Sequence, residues 1–119
     1  MAYIASNPAK SKGMVVGDGQ CVVFVQAASG APLTKHWKKG LAVKGLSLAA
    51  GTAIATFDPD GTYGNHTDGR SHAAIYVGQN RTGIQVWDQW VGQPVHERTI
   101  LFDDTRKAVN NGNKFNVIN

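Results

Sequence analysis

The stretch Ser71-His72-Ala73-Ala74-Ile75-Tyr76-Val77-Gly78-Gln79-Asn80-Arg81-Thr82-Gly83-Ile84-Gln85-Val86-Trp87-Asp88 decides the reading of this chain. An apolar run from His72 to Val77 stops at Gly78-Gln79-Asn80. After Thr82-Gly83 a second run goes from Ile84 to Trp87 and ends at Asp88. Two short runs rich in β-branched and aromatic residues, joined by a few turn residues, form an antiparallel hairpin. If the chain turns over Gln79 to Gly83, paired residue numbers sum to about 160–162, as one-to-one antiparallel pairing requires. His72 then faces positions 88 to 90, so Asp88 and Gln89 are its neighbours.

Outward from this hairpin, Val95 to Ile100 follows Pro94 as another strand. Phe115 to Ile118 is a last strand, after the turn Asn110-Asn111-Gly112-Asn113. Upstream, Thr52 to Phe57 is a strand opened by Gly51 and closed by Asp58-Pro59-Asp60-Gly61. Cys21 to Ala28 is apolar throughout, so periodicity does not separate strand from helix. Its β-branched Val residues favour strand. Ala27-Ala28, Gly30 as a C-cap and Pro32 beyond it favour helix, which is the reading adopted. Met1 to Gly19 reads as loop with one helical turn, Thr34 to Gly40 as a second helical turn or loop, and Asp103 to Val109 as a short helix. Helices first and an antiparallel sheet after them make an α+β fold.

Composition narrows the classes. A chain of 119 residues is one domain, residues 1–119, with one modest core. Apolar residues at 42% and charged residues at 17% are globular proportions. The 14 glycines favour turns and short strands over a helix bundle. One cysteine excludes an internal disulfide, a multi-cysteine zinc site and an iron–sulfur cluster. No apolar run is long enough to span a membrane, and Met1 to Ser11 lacks the order of a cleaved secretory signal. The expectation is synthesis in the cytoplasm and export, if any, by a route without a cleaved signal. The net charge of +4 is spread out. The one basic run, Lys35 to Lys39, reads as a solvated face, so nucleic acid is not the expected partner.

The sole cysteine is the first candidate for chemistry. Cys21 follows Gly17-Asp18-Gly19-Gln20 and opens the expected helix. There the helix dipole and free N–H groups favour the thiolate and can hold a developing oxyanion. In isolation such a cysteine is more often a small buried hydrophobe. A thiol nucleophile needs a base. His36 lies in the basic turn and His66 in the polar loop, while His96 alternates within a strand and reads as surface. His72 alone stands at a strand mouth, held rigidly yet reachable. Asp88, or Gln89 beside it, would orient the imidazole; the plain alternative makes Asp88 a turn residue.

Gly19-Gln20-Cys21 followed by Val22 to Gln26 resembles the nucleophile motif of CHAP-type amidases. Ser71 to Gly78 resembles the histidine strand of the related cell-wall endopeptidases of the papain-like superfamily. Asp88 is similar to their third polar residue. The resemblance spans Gly17 to Trp90 and keeps the order Cys, His, polar residue. Chain size and the missing signal also look like amidase effectors of type VI secretion systems. It implies a papain-like (CHAP-type) fold, with N-terminal helices packed on an antiparallel sheet, and hydrolysis of an amide in peptidoglycan stem peptides. Cys21 would attack, His72 would act as base and then acid, and Asp88 would hold His72. The Cys21 N–H, with the Gln20 region and Gly19, would bind the oxyanion. Many relatives carry Asn, Gln, His or Glu at the third position, which leaves Gln89 in play.

The polar loop Asp58 to Arg70 would wall the groove, with Tyr63, Asn65, His66, Arg70 and Ser71 as substrate contacts. Trp87 is assigned to the core; Trp37 and Trp90 are left open. Asp58-Pro59-Asp60-Gly61 has the start of a calcium loop but lacks its later ligands, so no metal or cofactor is expected. Peptidoglycan, an immunity protein and a secretion apparatus are the expected partners of a monomer acting in a target periplasm. Two other readings stand beside this one: a thiol acyltransferase on the same fold, and a non-catalytic module binding cell wall or nucleic acid.

Overall fold

The computed structural model describes residues 2–119. Its one α-helix, α1, spans Cys21–Ser29. Six strands follow: β1 Lys39–Ala42, β2 Ala53–Thr56, β3 Ala73–Gln79, β4 Gly83–Trp90, β5 Gln93–Leu101 and β6 Phe115–Ile118. They form one sheet in the order β1-β6-β2-β3-β4-β5, every neighbouring pair antiparallel.

Gly30 ends α1 in the left-handed conformation (φ 77°), donating its N–H to the Gln26 carbonyl. Only glycine takes that turn without strain. Val22, Phe24 and Val25 face the sheet. The alanines Ala53, Ala55 and Ala73 lie in the same cluster, and their short side chains let α1 approach closely.

Alternation along the central strands fills two cores. On β2 and β3, Ala53, Ala55, Ala73 and Ile75 pack toward α1, while Ile54, Ala74 and Tyr76 pack on the other face with Val43, Leu48 and Phe102. A sheet covered on both faces has no polar face to reveal its period, which is why these strands read as unbroken apolar runs.

The β3–β4 hairpin pairs Ile75 with Trp87 and Tyr76 with Val86. A bulge then shifts the register to Gly78–Gln85. The first two pairs match the upper end of the expected range, so extrapolation sets His72 opposite the end of β4. β4 runs two residues beyond Asp88, to Trp90, so Asp88 sits within the strand. On its other side β4 pairs with β5, with Asp88 directly opposite His96 and Val86 opposite Arg98. Pro94 is tolerated because β5 is an edge strand.

Three expectations need correction. Only α1 is an α-helix among the described residues, so a single helix covers the sheet; the N-terminal segment supplies a 3₁₀ turn at Pro8–Ser11. After a 3₁₀ turn at Thr34–His36 the chain forms strand β1, an exposed edge whose residues show no apolar alternation. Asp103 to Val109 is not a helix. Asp103 takes a positive φ of 60°, and the Asp104 carboxylate accepts from the Arg106 N–H. Such a local bond competes with helical pairing; a 3₁₀ turn at Ala108–Asn110 remains.

Candidate active site

A cleft of about 600 Å³ opens where the N-terminus of α1, the mouth of β3 and the end of β4 meet. Cys21 is the first residue of α1. Gln20 before it is extended and makes no side-chain cap, and the first α-helical bond in this turn is the long one from the Phe24 N–H to the Gln20 carbonyl, 3.4 Å. The N–H groups of the first turn therefore have no intrahelical partners. Gly17 (φ 58°) and Gly19 (φ 90°) bend the approach, and a Cβ on Gly17 would clash with Val23 Cγ1.

The approach is tied to the sheet by Gln89. Its Oε1 accepts from the Val16 N–H, and its Nε2 donates to the Val16 and Gln20 carbonyls, each at 2.9 Å. Gln89 is fully buried on β4, one residue past Asp88. Strand alternation thus sends Asp88 and Gln89 to opposite faces, one toward His72 and the other toward the segment that carries the thiol.

His72 is buried at the mouth of β3, its backbone N–H donating to Thr56 Oγ1 at 2.9 Å. Its Nε2 lies 2.7 Å from Asp88 Oδ2. That leaves Nδ1 as the ring nitrogen for Cys21. Asp88 has no solvent exposure, and Arg98 Nε donates to the same Oδ2 at 2.8 Å. His96 Nε2 lies 3.0 Å from Asp88 Oδ1 but out of line, and neither atom has a hydrogen-bond partner. His96 therefore faces the buried carboxylate, against the surface expectation; the signal was its place directly opposite Asp88.

The charges of this group reinforce one another. Burial alone would raise the Cys21 thiol, but the hydrogen bond and charge of His72, the Ala73 N–H and the Tyr63 hydroxyl bring it below its ordinary 9.0. Burial alone would lower His72; its bonds to Asp88 and Cys21 and their charges instead hold it up at about 9. Burial would raise Asp88, yet its bond to His72 and the charges of His72 and Arg98 keep it below its ordinary value. Burial and the neighbouring thiolate push Tyr63 up, so its hydroxyl, 3.9 Å from Cys21 Sγ, stays protonated and can donate. A thiolate–imidazolium pair backed by a carboxylate is the charge state these shifts favour.

Gln20, Tyr63, Asn65, His66 and Ser71 line the cleft with Cys21 and His72. Gly19 and Gln89 are buried behind it, and exposed Arg70 pairs with Asp68 at 2.8 Å, so these three stand outside the lining. The loop is knit together: His66 Nε2 meets Asp58 Oδ2 at 2.9 Å, and the His66 N–H donates to Ser71 Oγ. Asp58 is thus taken up by His66, and Asp60 bonds Thr62, so both serve the turn. Trp87 is half-buried against the core cluster, as expected of it. Trp37 is buried against Tyr63, ring centroids 4.9 Å apart, while Trp90 is 41% exposed at the cleft wall. Sequence reasoning left Trp90 open and missed Val91, Arg98, Lys107, Val109 and Asn110 as lining residues. The last three come from a C-terminal segment joined to the loop by the Val109 N–H to Gly69 carbonyl bond, a long-range contact without a local signal.

A helix-borne thiol set against a strand-borne histidine and carboxylate at an open cleft defines a papain-like α+β domain. The chain belongs to the domesticated amidase effector 2 family, whose model matches residues 1–118. The solved structure of a type 6 secretion amidase effector 2 superposes with a TM-score of 0.83 at 31% identity, covering 98% of this chain and 93% of that one. The chain is also 36% identical over 105 residues to the domesticated amidase effector 2 of Ixodes scapularis, covering 83% of this chain and 70% of the tick protein. It is 43% identical over 72 residues to a type VI secretion amidase effector 2 protein of Salmonella typhi, covering 60% of this chain. That match spans about half, 53%, of the Salmonella protein.

Proposed function

We propose that this chain is a cysteine amidase that hydrolyses an amide bond in peptidoglycan stem peptides or cross-links. The observation that carries this reading is the Cys21 thiol at the head of α1, lowered by His72, whose other ring nitrogen is 2.7 Å from buried Asp88. Family membership and the names of the relatives supply the substrate class.

The residues fit the steps of acyl transfer. The Cys21 thiolate attacks the carbonyl carbon, and the carbonyl oxygen takes up the negative charge. N–H groups of the first turn of α1, with the Gln20 side chain at the cleft wall, stabilise that oxyanion. The C–N bond breaks as the His72 imidazolium gives its proton to the departing amine, leaving a thioester on Cys21 and a neutral imidazole. The imidazole then takes a proton from water, whose oxygen attacks the thioester; acid and thiolate are released and the imidazolium is restored. Asp88 keeps the ring oriented and stabilises its charged form. Tyr63 donates to the sulfur.

In this reading the protein is delivered by a type VI secretion apparatus to the periplasm of a target bacterium, and the producing cell holds an immunity partner. The test is digestion of purified sacculi by the wild-type protein and by C21A, with mass spectrometry of the soluble muropeptides. The wild type is expected to release new amine and carboxyl ends at one bond, and C21A none. Release by a folded C21A would overturn the nucleophile. Binding to sacculi without any product would make the chain a binding module, and product appearing only with an added amine acceptor would make it an acyltransferase.

A further inference from the structure

Two cations compete for one oxygen of Asp88. His72 Nε2 and Arg98 Nε lie 2.7 Å and 2.8 Å from Oδ2, while Oδ1 carries no hydrogen bond. Arg98 is anchored on β5 and its guanidinium lies over the Trp90 ring, Cζ 5.1 Å from the centroid, so it is held in place from two sides. A histidine locked to an ionised carboxylate with no competitor is a good proton acceptor and a poor donor. The step that releases the amine needs it to donate.

We propose that Arg98 is a positioning residue that shares Asp88 with His72 and so keeps the imidazolium acidic enough to protonate the leaving amine. Two nitrogens bound to the same oxygen at these distances lie no more than about 5.5 Å apart. At an effective dielectric of about 20, unit charges that close would move an imidazolium pKa by about two pH units, and the spread of both charges over their planar groups reduces this to about one. Arg98 also leaves less negative charge on Oδ2 for His72 to lean on. The other groups facing the carboxylate and its histidine are His96 from β5, Cys21 from α1 and Tyr63 from the loop before β3. The test reads His72 apart from both Cys21 and His96.

The R98Q variant removes the charge while keeping a donor. The Gln side-chain nitrogen occupies the place of Arg Nε, so the donor to Asp88 stays, and the charge and the stack on Trp90 are lost. Nitrogen-detected NMR titration of the imidazoles, in the wild type and in R98Q, reads His72 with no substrate present. H96N versions of both proteins assign the His72 resonance without ambiguity. The expected result in R98Q is a His72 midpoint higher by about one pH unit. R98K, which keeps the charge without the fork, is expected to fall between. If either R98Q or R98K alone is well folded, its midpoint decides the matter. A His72 midpoint unchanged or lowered in R98Q, or lowered in R98K, overturns the proposal.

The catalytic half of this inference rests on the proposed cysteine amidase reading, and its readout is kept separate. Against sacculi, R98Q is expected to lose roughly tenfold in kcat with KM nearly unchanged, and the basic limb of its pH profile is expected to move up by about one unit. If the NMR shift appears while no sacculus product forms even with the wild type, the amidase reading fails and the electrostatic role of Arg98 stands. If the wild type cuts and R98Q loses activity with no shift in midpoint, Arg98 is a structural prop and the proposal fails alone.

Discussion

Replacing Asp88 by Asn tests how the buried carboxylate governs the thiol. Asp88 has no exposure, and two of its neighbours, His72 and Arg98, donate to one oxygen at 2.7 Å and 2.8 Å. With the carboxylate present, His72 is held at about 9 against burial, which by itself would lower it. In D88N the strongest support, the bond to Asp88, is gone with its charge, while burial and the Cys21 contact remain, so the His72 pKa is expected to fall from about 9 by about two units. At pH 7.5 the imidazolium, nearly complete in the wild type, would fall to about a quarter. The thiolate loses part of its counter-ion and the Cys21 pKa rises. Charge state alone thus removes roughly fourfold of the reactive pair. Loss of orientation adds to this, since an Asp-to-Asn change in a comparable triad costs about 10⁴ in kcat.

The stability cost of D88N is expected to be smaller than for a fully buried pair. Leaving a buried charge unpaired costs about 3–5 kcal/mol. Here His72 can discharge by losing its proton, and the Arg98 side chain is 21% exposed. About 2–3 kcal/mol remains, or roughly 6–15 °C in Tm for a domain of this size. Iodoacetamide alkylation of Cys21 across pH, sacculus digestion and a thermal melt read the three effects separately. A D88N protein that cuts sacculi within tenfold of the wild type, with an unmoved alkylation midpoint, would refute the assignment of Asp88 as the partner of His72.

Other outcomes follow from the same geometry. Q89A removes three hydrogen bonds of 2.9 Å from a fully buried side chain and is expected to cost about 2–4 kcal/mol, with disordered Cys21 reactivity, by thermal melt and alkylation. Y63F removes the hydroxyl beside the sulfur and is expected to raise the Cys21 alkylation midpoint by less than one pH unit with the fold intact. F24A, at a side chain 1% exposed between α1 and the sheet, is expected to cost about 3–5 kcal/mol in denaturant unfolding. His72 has a raised folded-state pKa, so its share of stability is complete below about 6.5 and is lost as pH rises through about 9. Asp88 works the other way, its share being lost as pH falls through its depressed pKa. In H72N the alkaline fall in Tm is expected to flatten.

The β3–β4 hairpin was legible because its turn residues and two apolar runs fix the register within two residues. That register sufficed to bring His72 and Asp88 together. Helix α1 was legible from its ends, Gly30 above all, and not from periodicity, because both of its candidate readings are apolar throughout. Strand β1 was not legible: Lys39 to Ala42 pairs at an exposed edge, and backbone pairing there owes nothing to side-chain pattern. The roles around Asp88 split the same way. The strand leading to Asp88 was read, but no register was worked out between it and β5, so His96 and Arg98 stayed outside the site although each sits across from β4. Gln89 shows the limit of proximity in sequence. It stands next to Asp88 yet points to the other face, where it holds the thiol's approach.

The most direct test of the central claim is the mass of Cys21 during turnover. Wild-type protein mixed with a purified cross-linked muropeptide is quenched in acid within the first turnovers, digested and mapped by mass spectrometry. The account predicts an adduct on the Cys21 peptide equal to the acyl half of the cut muropeptide, labile to hydroxylamine as a thioester is. Product formed at full rate with Cys21 unmodified at every quench time, and still formed by C21A, would contradict it.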